Sequence, residues 1–418
     1  MSTKPHPRLT LTPWLLWLGF LGILLLAALA GGILVFWKGL AITNLTDLVP
    51  WGLWITIDLS AIALSAGAFS LCAAVHLLGL KRYQPLARTA TFVGLIGYTM
   101  ALLALMLDIG RPDRFWHSIA YWNTHSLLWE VTMAIMIYLN VLIMESMPIF
   151  ARLEWLHRRW PKVARSMEKV HHYAPILAMI GLGLSSMHQS SLGAAYGIIK
   201  ARPFWYKPEM SVLFMFSALV GGIALTLFAS MLASRLTSRA KINDALIERA
   251  SGILAWLLVG YFYFRFWDTF AGTYTYETGR SEGLKILTGG VLSFNFWIGE
   301  MLLGILLPMI LLLYKKTRMD PFWRMVALFL AAAGVVAFRW DINLVGQLAV
   351  VSYLPGQAPV FYTSYRPSLI EWITGSGILA YGLLAFSLGV KYLHVVDHSI
   401  LENEARHETA PAAETVTA

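Results

Sequence analysis

Long apolar runs separated by short polar or charged breaks repeat along almost the whole chain. A bilayer core of about 30 Å needs roughly 20 apolar residues in helical form. Measured against that length, the pattern predicts roughly ten spans. The first five lie near Trp14–Trp37, Trp51–Leu80, Ala90–Ile109, Ser126–Pro148 and Ala174–Ile199. The others lie near Ser211–Ser234, Gly252–Asp268, Val291–Tyr314, Trp323–Leu348 and Ser368–Lys391. Ala28-Leu29-Ala30 has the small-residue spacing of a signal-peptide cleavage site, but the apolar run continues to Trp37. That is too long for the apolar region of a leader, so a retained helix is expected. The acidic, Ala-rich stretch from His394 to Ala418 reads as a short mobile extension.

Composition agrees with the pattern. Hydrophobic residues make up 58% of the chain and charged residues 13%, against about 25% charged in soluble domains. So little charge cannot cover a solvated surface, and the expected class is an all-α integral membrane protein. The 17 tryptophans and 17 tyrosines suit the two membrane interfaces. The basic residues sit in short loops between apolar runs, which points to membrane topology and away from nucleic acid.

The distribution of Lys and Arg gives an orientation. One set of alternate segments holds Lys4, Arg8, Lys81, Arg82, Arg88, Arg152, Arg158, Arg159, Lys162, Arg165 and Lys169. It continues with Arg235, Arg239, Lys241, Arg249, Lys315, Lys316, Arg318, Arg324, Lys391 and Arg406. The opposite set holds only Lys38, Arg111, Arg114, Lys200, Arg202, Lys207, Arg280, Lys285 and Arg366. The rich set is expected to be cytoplasmic, with both termini inside.

Ionisable residues within spans are costly and are functional candidates by default. At about 1.5 Å of rise per residue, Asp58 falls roughly 10 Å inside the outer boundary. Asp108 lies at the outer rim with Arg111 beyond it, Glu130 about one turn deep, and His188 just outside the midpoint of its span. Four consecutive spans thus place an ionisable group in their outer halves, whereas the inner halves hold only His76 and Glu145 near their ends. Asp108 and Arg111, three apart, read equally as a structural ion pair. Asp58 has no basic residue one turn away, so its burial favours function. His188 sits in Ser185-Ser186-Met187-His188-Gln189-Ser190-Ser191, too polar a run for a lipid-facing helix. A second group, Arg265, Asp268, Glu300, Arg339 and Asp341, reads either as glue between helices or as a proton path.

Several chemistries are disfavoured. The single Cys72 leaves no thiolate set for iron–sulfur or zinc ligation. His76 and His188 differ in depth by on the order of 10 Å, so a bis-histidine haem is not expected. No nucleophile elbow, phosphate loop or metalloprotease motif occurs. A pocket of carboxylates and a histidine, reached from the bilayer, suits a lipophilic carrier of two electrons and two protons, because each quinol hydroxyl needs a proton acceptor.

Leu107-Asp108-Ile109-Gly110-Arg111-Pro112-Asp113-Arg114-Phe115-Trp116 resembles the D-x-G-R-P-x-R-F-W signature of the polysulfide reductase/NrfD family of membrane subunits. Pro50-Trp51-Gly52-Leu53-Trp54 with Asp58, and Met187-His188-Gln189-Ser190-Ser191, are similar to the hydrogenase-2 type membrane subunit in that family. The resemblance implies two four-helix bundles with one extra helix at each end. Residues 1–50 would carry the first helix, 51–199 a quinone-binding bundle, 200–348 the second bundle, 349–393 the last helix and 394–418 the tail. It implies a quinone site of Trp51, Asp58, Asp108, Arg111 and His188, joined by position by His125 and Glu130. In this arrangement Arg111 would organise the site by pairing with Asp108, and Trp51 and Trp54 would line its mouth. It also implies menaquinone or ubiquinone as substrate and an iron–sulfur ferredoxin-like partner, with a multihaem cytochrome or catalytic reductase or hydrogenase subunit beyond. The location would be the bacterial inner membrane. The competing readings are a secondary transporter, for which paired Gly/Pro breaks at the midplane are missing from the sequence, and an inert anchor, which would not need Asp58 or His188.

Overall fold

The computed structural model describes residues 12–76, 78–238, 240–352, 354, 356, 359–393, 395, 396 and 398. Most of the tail after His394 therefore lies outside the described residues, as do Lys4, Arg8, Arg406 and the side chains of Cys72 and His76. The chain is an all-α multi-pass membrane protein. Its long helices are α1 (Thr12–Lys38), α2 (Leu53–His76), α3 (Gln84–Asp108), α4 (Leu127–Ala151), α5 (Ala174–Gly197), α6 (Met210–Leu236) and α7 (Asp244–Gly272). They continue with α8, π-helical over Asn295–Leu306 and α-helical over Leu307–Leu313, then α9 (Pro321–Leu348) and α10 (Leu369–Leu388). Among the described residues, eight are long and apolar enough to cross a membrane: α1, α3, α4 and α6 to α10. In α5 the polar run around His188 lowers the hydropathy.

Helix boundaries follow from capping chemistry. The Ser126 hydroxyl accepts from the Trp129 N–H, Asn243 from Leu246, and Asp320 from Phe322 and Trp323, each satisfying a donor that the first turn leaves free. Proline occupies the first turn of α3, α5 and α9, where its missing N–H costs nothing. The Asn243 cap starts α7 at Asp244, before the apolar run expected from Gly252, so its first turns are more polar than the sequence pattern alone would allow.

Apolar patterning missed several shorter elements. Helices Glu154–Arg159 and Pro161–Lys169 join α4 to α5, and Arg280–Gly289 lies between α7 and α8. A hairpin of β1 (Ala349–Val351) and β2 (Val360–Tyr362) precedes α10, antiparallel with Val350 opposite Phe361. These segments are too short or too polar to register as spans.

Packing closes two rings of neighbours. α2 packs on α3, α3 on α4, α4 on α5, and α5 returns to α2; α6, α7, α8 and α9 close in the same way. α2 also lies against α6 and α9, and α1 packs on α10, which leans on α3. The α8–α9 crossing is backbone to backbone: a Cβ on Gly304 would lie 2.4 Å from the Cα of Gly334. Small residues at such a crossing provide the close packing that holds helices together in lipid.

Candidate functional site

The first ring holds a cluster of buried polar groups that its own side chains do not satisfy. On α2, Asp58 is buried and its Oδ1 has no hydrogen-bond partner among the described residues. On α5, His188 is fully buried, and neither Nδ1 nor Nε2 has a partner among them. On α3, the Tyr98 hydroxyl is likewise buried and unpartnered. Its ring lies 6.2 Å from that of His188 and edge-on to Tyr138 of α4 at 4.3 Å. The Asp58 carboxyl is close enough to act electrostatically on Tyr98, Tyr196 and Asp108. A buried polar group without a partner costs about 1–3 kcal/mol, so a cluster of several calls for polar partners beyond the described side chains.

The wall of this cluster is built by α9. Asn343 accepts from the Tyr196 hydroxyl at 3.0 Å and donates to the carbonyls of Trp51 and Gly52 and to Thr56 Oγ1. Gln347 accepts from the Trp51 N–H at 3.1 Å and donates back to its carbonyl at 2.8 Å. The Trp51 ring stacks on Trp205 at 5.6 Å and meets Tyr196 edge-on. The entry to α2 is tied to the segment before α10 as well. Tyr365 accepts from the Leu53 N–H at 2.8 Å and donates to Glu371, which also accepts the N–H groups of Asn44 and Ser368. Burial, and then the Glu371 carboxylate, push the Tyr365 phenol up from its ordinary range. A Cβ on Gly52 would come within 2.1 Å of the Tyr365 hydroxyl, so only glycine fits there.

Several expected site residues sit elsewhere. Trp54 is fully buried and donates to Thr374 of α10 at 2.8 Å, which ties α2 to the last helix. Arg111 does not pair with Asp108. Gly110, at φ +72°, turns the chain at the end of α3, and Arg111 instead makes two 3.0 Å bonds to Asp113. Both of those side chains are more than half exposed. The Arg111 guanidinium in turn holds the Asp113 carboxyl below its usual range. Asp108 keeps one buried oxygen, Oδ1, with no partner among the described residues, and so does Glu130, through Oε2. His125 is exposed on the loop before α4.

The second ring holds a continuous ionic network. Arg265 of α7 grips Glu300 of α8 through two bonds, 2.5 and 3.1 Å, and Asp268 through a third of 2.6 Å. Asp268 also pairs with Lys207, which lies outside the long helices. Burial pushes the Lys207 ammonium down, and Asp268 opposes that shift. Glu300 and Asp341 act electrostatically on each other, and Asn295 donates to Asp341 at 2.8 Å. The π-helical start of α8 carries both Asn295 and Glu300. Arg339 is fully buried, and no ion pair to it occurs among the described residues. It donates to the Phe214 carbonyl and Ser217 Oγ, each at 2.9 Å, and to Gln189 at 3.3 Å. Its guanidinium lies 3.7 Å from the Phe214 ring centre, a contact that offsets part of its desolvation. It acts electrostatically on Tyr196 on one side and Tyr261 on the other, so it lies between the two clusters.

Residues 41–351 match the family model described as polysulphide reductase, NrfD. The chain belongs to that family. This NrfD-family chain is 30% identical over 400 residues to the menaquinone reductase integral membrane subunit of Nitratidesulfovibrio vulgaris, covering 93% of each. It is 26% identical over 390 residues to the probable Ni/Fe-hydrogenase 2 b-type cytochrome subunit of Escherichia coli, covering 91% of each. Against the Hdr-like menaquinol oxidoreductase integral membrane subunit of Archaeoglobus fulgidus, it is 26% identical over 373 residues, covering 87% of this chain and 89% of that one.

Sequence reasoning missed Tyr98, Tyr196, Gln189, Asn343, Gln347 and Lys207 as members of these clusters. Asn343 and Gln347, four apart near the end of an apolar run, carried the clearest available signal, since amides at that depth need partners. The exposed Arg111–Asp113 pair yields a prediction. Arg111→Gln should leave the thermal midpoint essentially unchanged, because exposed ion pairs contribute little. A thermal melt of the purified protein checks this; a large fall in the midpoint would return Arg111 to the interior.

Proposed function

We propose that this chain is the quinone-handling membrane subunit of a respiratory redox complex. The observation that carries the reading is the buried, unpartnered set of Asp58, His188 and Tyr98 on three neighbouring helices. Asp58 and His188 would accept the two hydroxyl protons of a quinol, or supply them to a quinone. Asp108 and Glu130 would carry protons toward the outer side. Trp51 would shape the outer wall, held by Gln347, while Trp54 supports α2 from behind. Arg111 and His125, both exposed, would act at the surface that meets a partner. The quinone would be menaquinone or ubiquinone, and the relatives named for menaquinone and menaquinol support the former.

In this reading all ten long helices cross the membrane, with α2 to α5 and α6 to α9 as four-helix bundles and α1 and α10 flanking them. The two closed rings of packing support it. The basic segments then face the cytoplasm, both termini lie inside, and the protein resides in a bacterial inner membrane. The chain holds neither haem nor iron–sulfur cluster in this account, so electrons are exchanged between the quinone and an iron–sulfur ferredoxin-like subunit at the outer surface. A multihaem cytochrome or a catalytic reductase or hydrogenase subunit would follow. The relatives' names as subunits of reductases, hydrogenase and oxidoreductase support such an assembly. Arg265, Asp268, Glu300, Arg339 and Asp341 are proposed as a proton path coupled to the quinone chemistry, supported by the buried ionic bonds that join Arg265 to Glu300 and Asp268.

Quinone binding tests the proposal. The protein in nanodiscs should bind a short-chain menaquinone analogue saturably, seen as quenching of tryptophan emission. His188→Gln should weaken that binding at least about tenfold, the loss of one good polar contact to the ligand. Non-saturable partitioning, equal in the wild type and the variant, would contradict it.

A further inference from the structure

The segment joining α4 to α5 is basic and carries exposed aromatic rings. Between Arg152 and Tyr173 it holds six Lys and Arg against only Glu154 and Glu168. Glu154 is taken by Arg158 at 3.5 Å and Glu168 by His157 at 3.2 Å. Arg159, Lys162, Arg165 and Lys169 make no ion pair among the described residues, and all four are exposed. Leu156 and Ala164 are the buried tethers of the two short helices, and Pro161–Lys169 packs back on α4. Trp155 and Trp160 form an edge-on pair at 5.3 Å and remain 61% and 51% exposed. Tyr173, where the segment enters α5, is also exposed.

α4 is a membrane-crossing helix by length and apolarity, and the segment begins at its end. It therefore lies at the level where hydrocarbon gives way to headgroups. There, aromatic rings with a polar edge are favoured, and unpaired ammonium and guanidinium groups meet phosphate. An aqueous domain surface would not need two exposed indoles beside four uncompensated cations.

We propose that residues 152–173 form a docking platform for anionic phospholipids of the surrounding bilayer. Arg159, Lys162, Arg165 and Lys169 would hold the headgroup phosphates, and Trp155 and Trp160 would sit at the glycerol level. The platform does not depend on what the buried clusters do.

The test is the lipid carried through purification of the intact protein, or of its complex, from vesicles of phosphatidylcholine and phosphatidylglycerol in a ratio of about four to one. The wild type should retain phosphatidylglycerol enriched at least about threefold over the bulk ratio, with enrichment falling as salt rises. A variant with Arg159→Gln, Lys162→Gln, Arg165→Gln and Lys169→Gln should return to the bulk ratio. Lys315→Gln with Lys316→Gln, also exposed and basic, should not. Trp155→Ala with Trp160→Ala should weaken retention while leaving the charge intact, which guards against misfolding of the fourfold variant. Unchanged enrichment in the fourfold variant would overturn the proposal. So would loss of a protein subunit, rather than lipid, from that variant.

Discussion

Asp58→Asn is expected to lower quinone-coupled turnover of the assembled complex by at least about 100-fold, the lower range for removing a positioned proton acceptor. The amide keeps the size and burial of the carboxyl, so α2 should pack as before, but it cannot take a proton at neutral pH. Assembly and dye-linked activity of the partner subunits should stay near wild type. Asp58→Glu should recover part of the turnover, because the acid is restored slightly out of place. Full quinone activity in Asp58→Asn would move the proton chemistry away from this cluster.

The second large effect is expected at Arg265. Its three bonds bind two carboxylates that have few other partners in the interior. Removing one member of a buried ion pair costs about 3–5 kcal/mol, because the remaining charge is left uncompensated. Arg265→Met should therefore lose that much stability, read as a lower thermal midpoint or as failed assembly. Adding Glu300→Met should restore much of it, since apolar replacement of a whole buried pair is often neutral or better. The double variant then separates the two readings of the network. If the network conducts protons, the folded double variant should turn over quinol with fewer protons moved per electron. If it serves as glue, the proton yield will be unchanged.

Asp58, Asp108, Glu130 and His188 are legible in the sequence as candidates, because a polar residue in an apolar run stands out, and the four helices α2 to α5 pack in one ring. The direction of each side chain was not legible. Whether Arg111 turns inward to Asp108 or outward to Asp113 depends on the left-handed turn at Gly110. The Pro50-Trp51-Gly52-Leu53-Trp54 stretch read as the mouth of a site, yet most of its groups are structural ties. Trp51 is held by Gln347, Leu53 by Tyr365 and Trp54 by Thr374, partners roughly 300 positions away along the chain. Tyr98 and Tyr196 were hidden because a tyrosine in an apolar helix resembles any other interfacial aromatic. The second network was visible as a list of charges, but not as a connected whole. Lys207 reads in the sequence only as a loop cation, and the π-helical start of α8, which carries Glu300, leaves no mark on hydrophobic periodicity.

The central claim is that the quinone binds within the first ring, beside Asp58 and His188. Photo-cross-linking with an azido-menaquinone analogue, followed by peptide mapping, tests it most directly. The account predicts label on α2 and α5, in peptides containing Asp58 or His188, displaced by excess unlabelled quinone. Displaceable label confined to residues 210–348, or to a partner subunit, would contradict it.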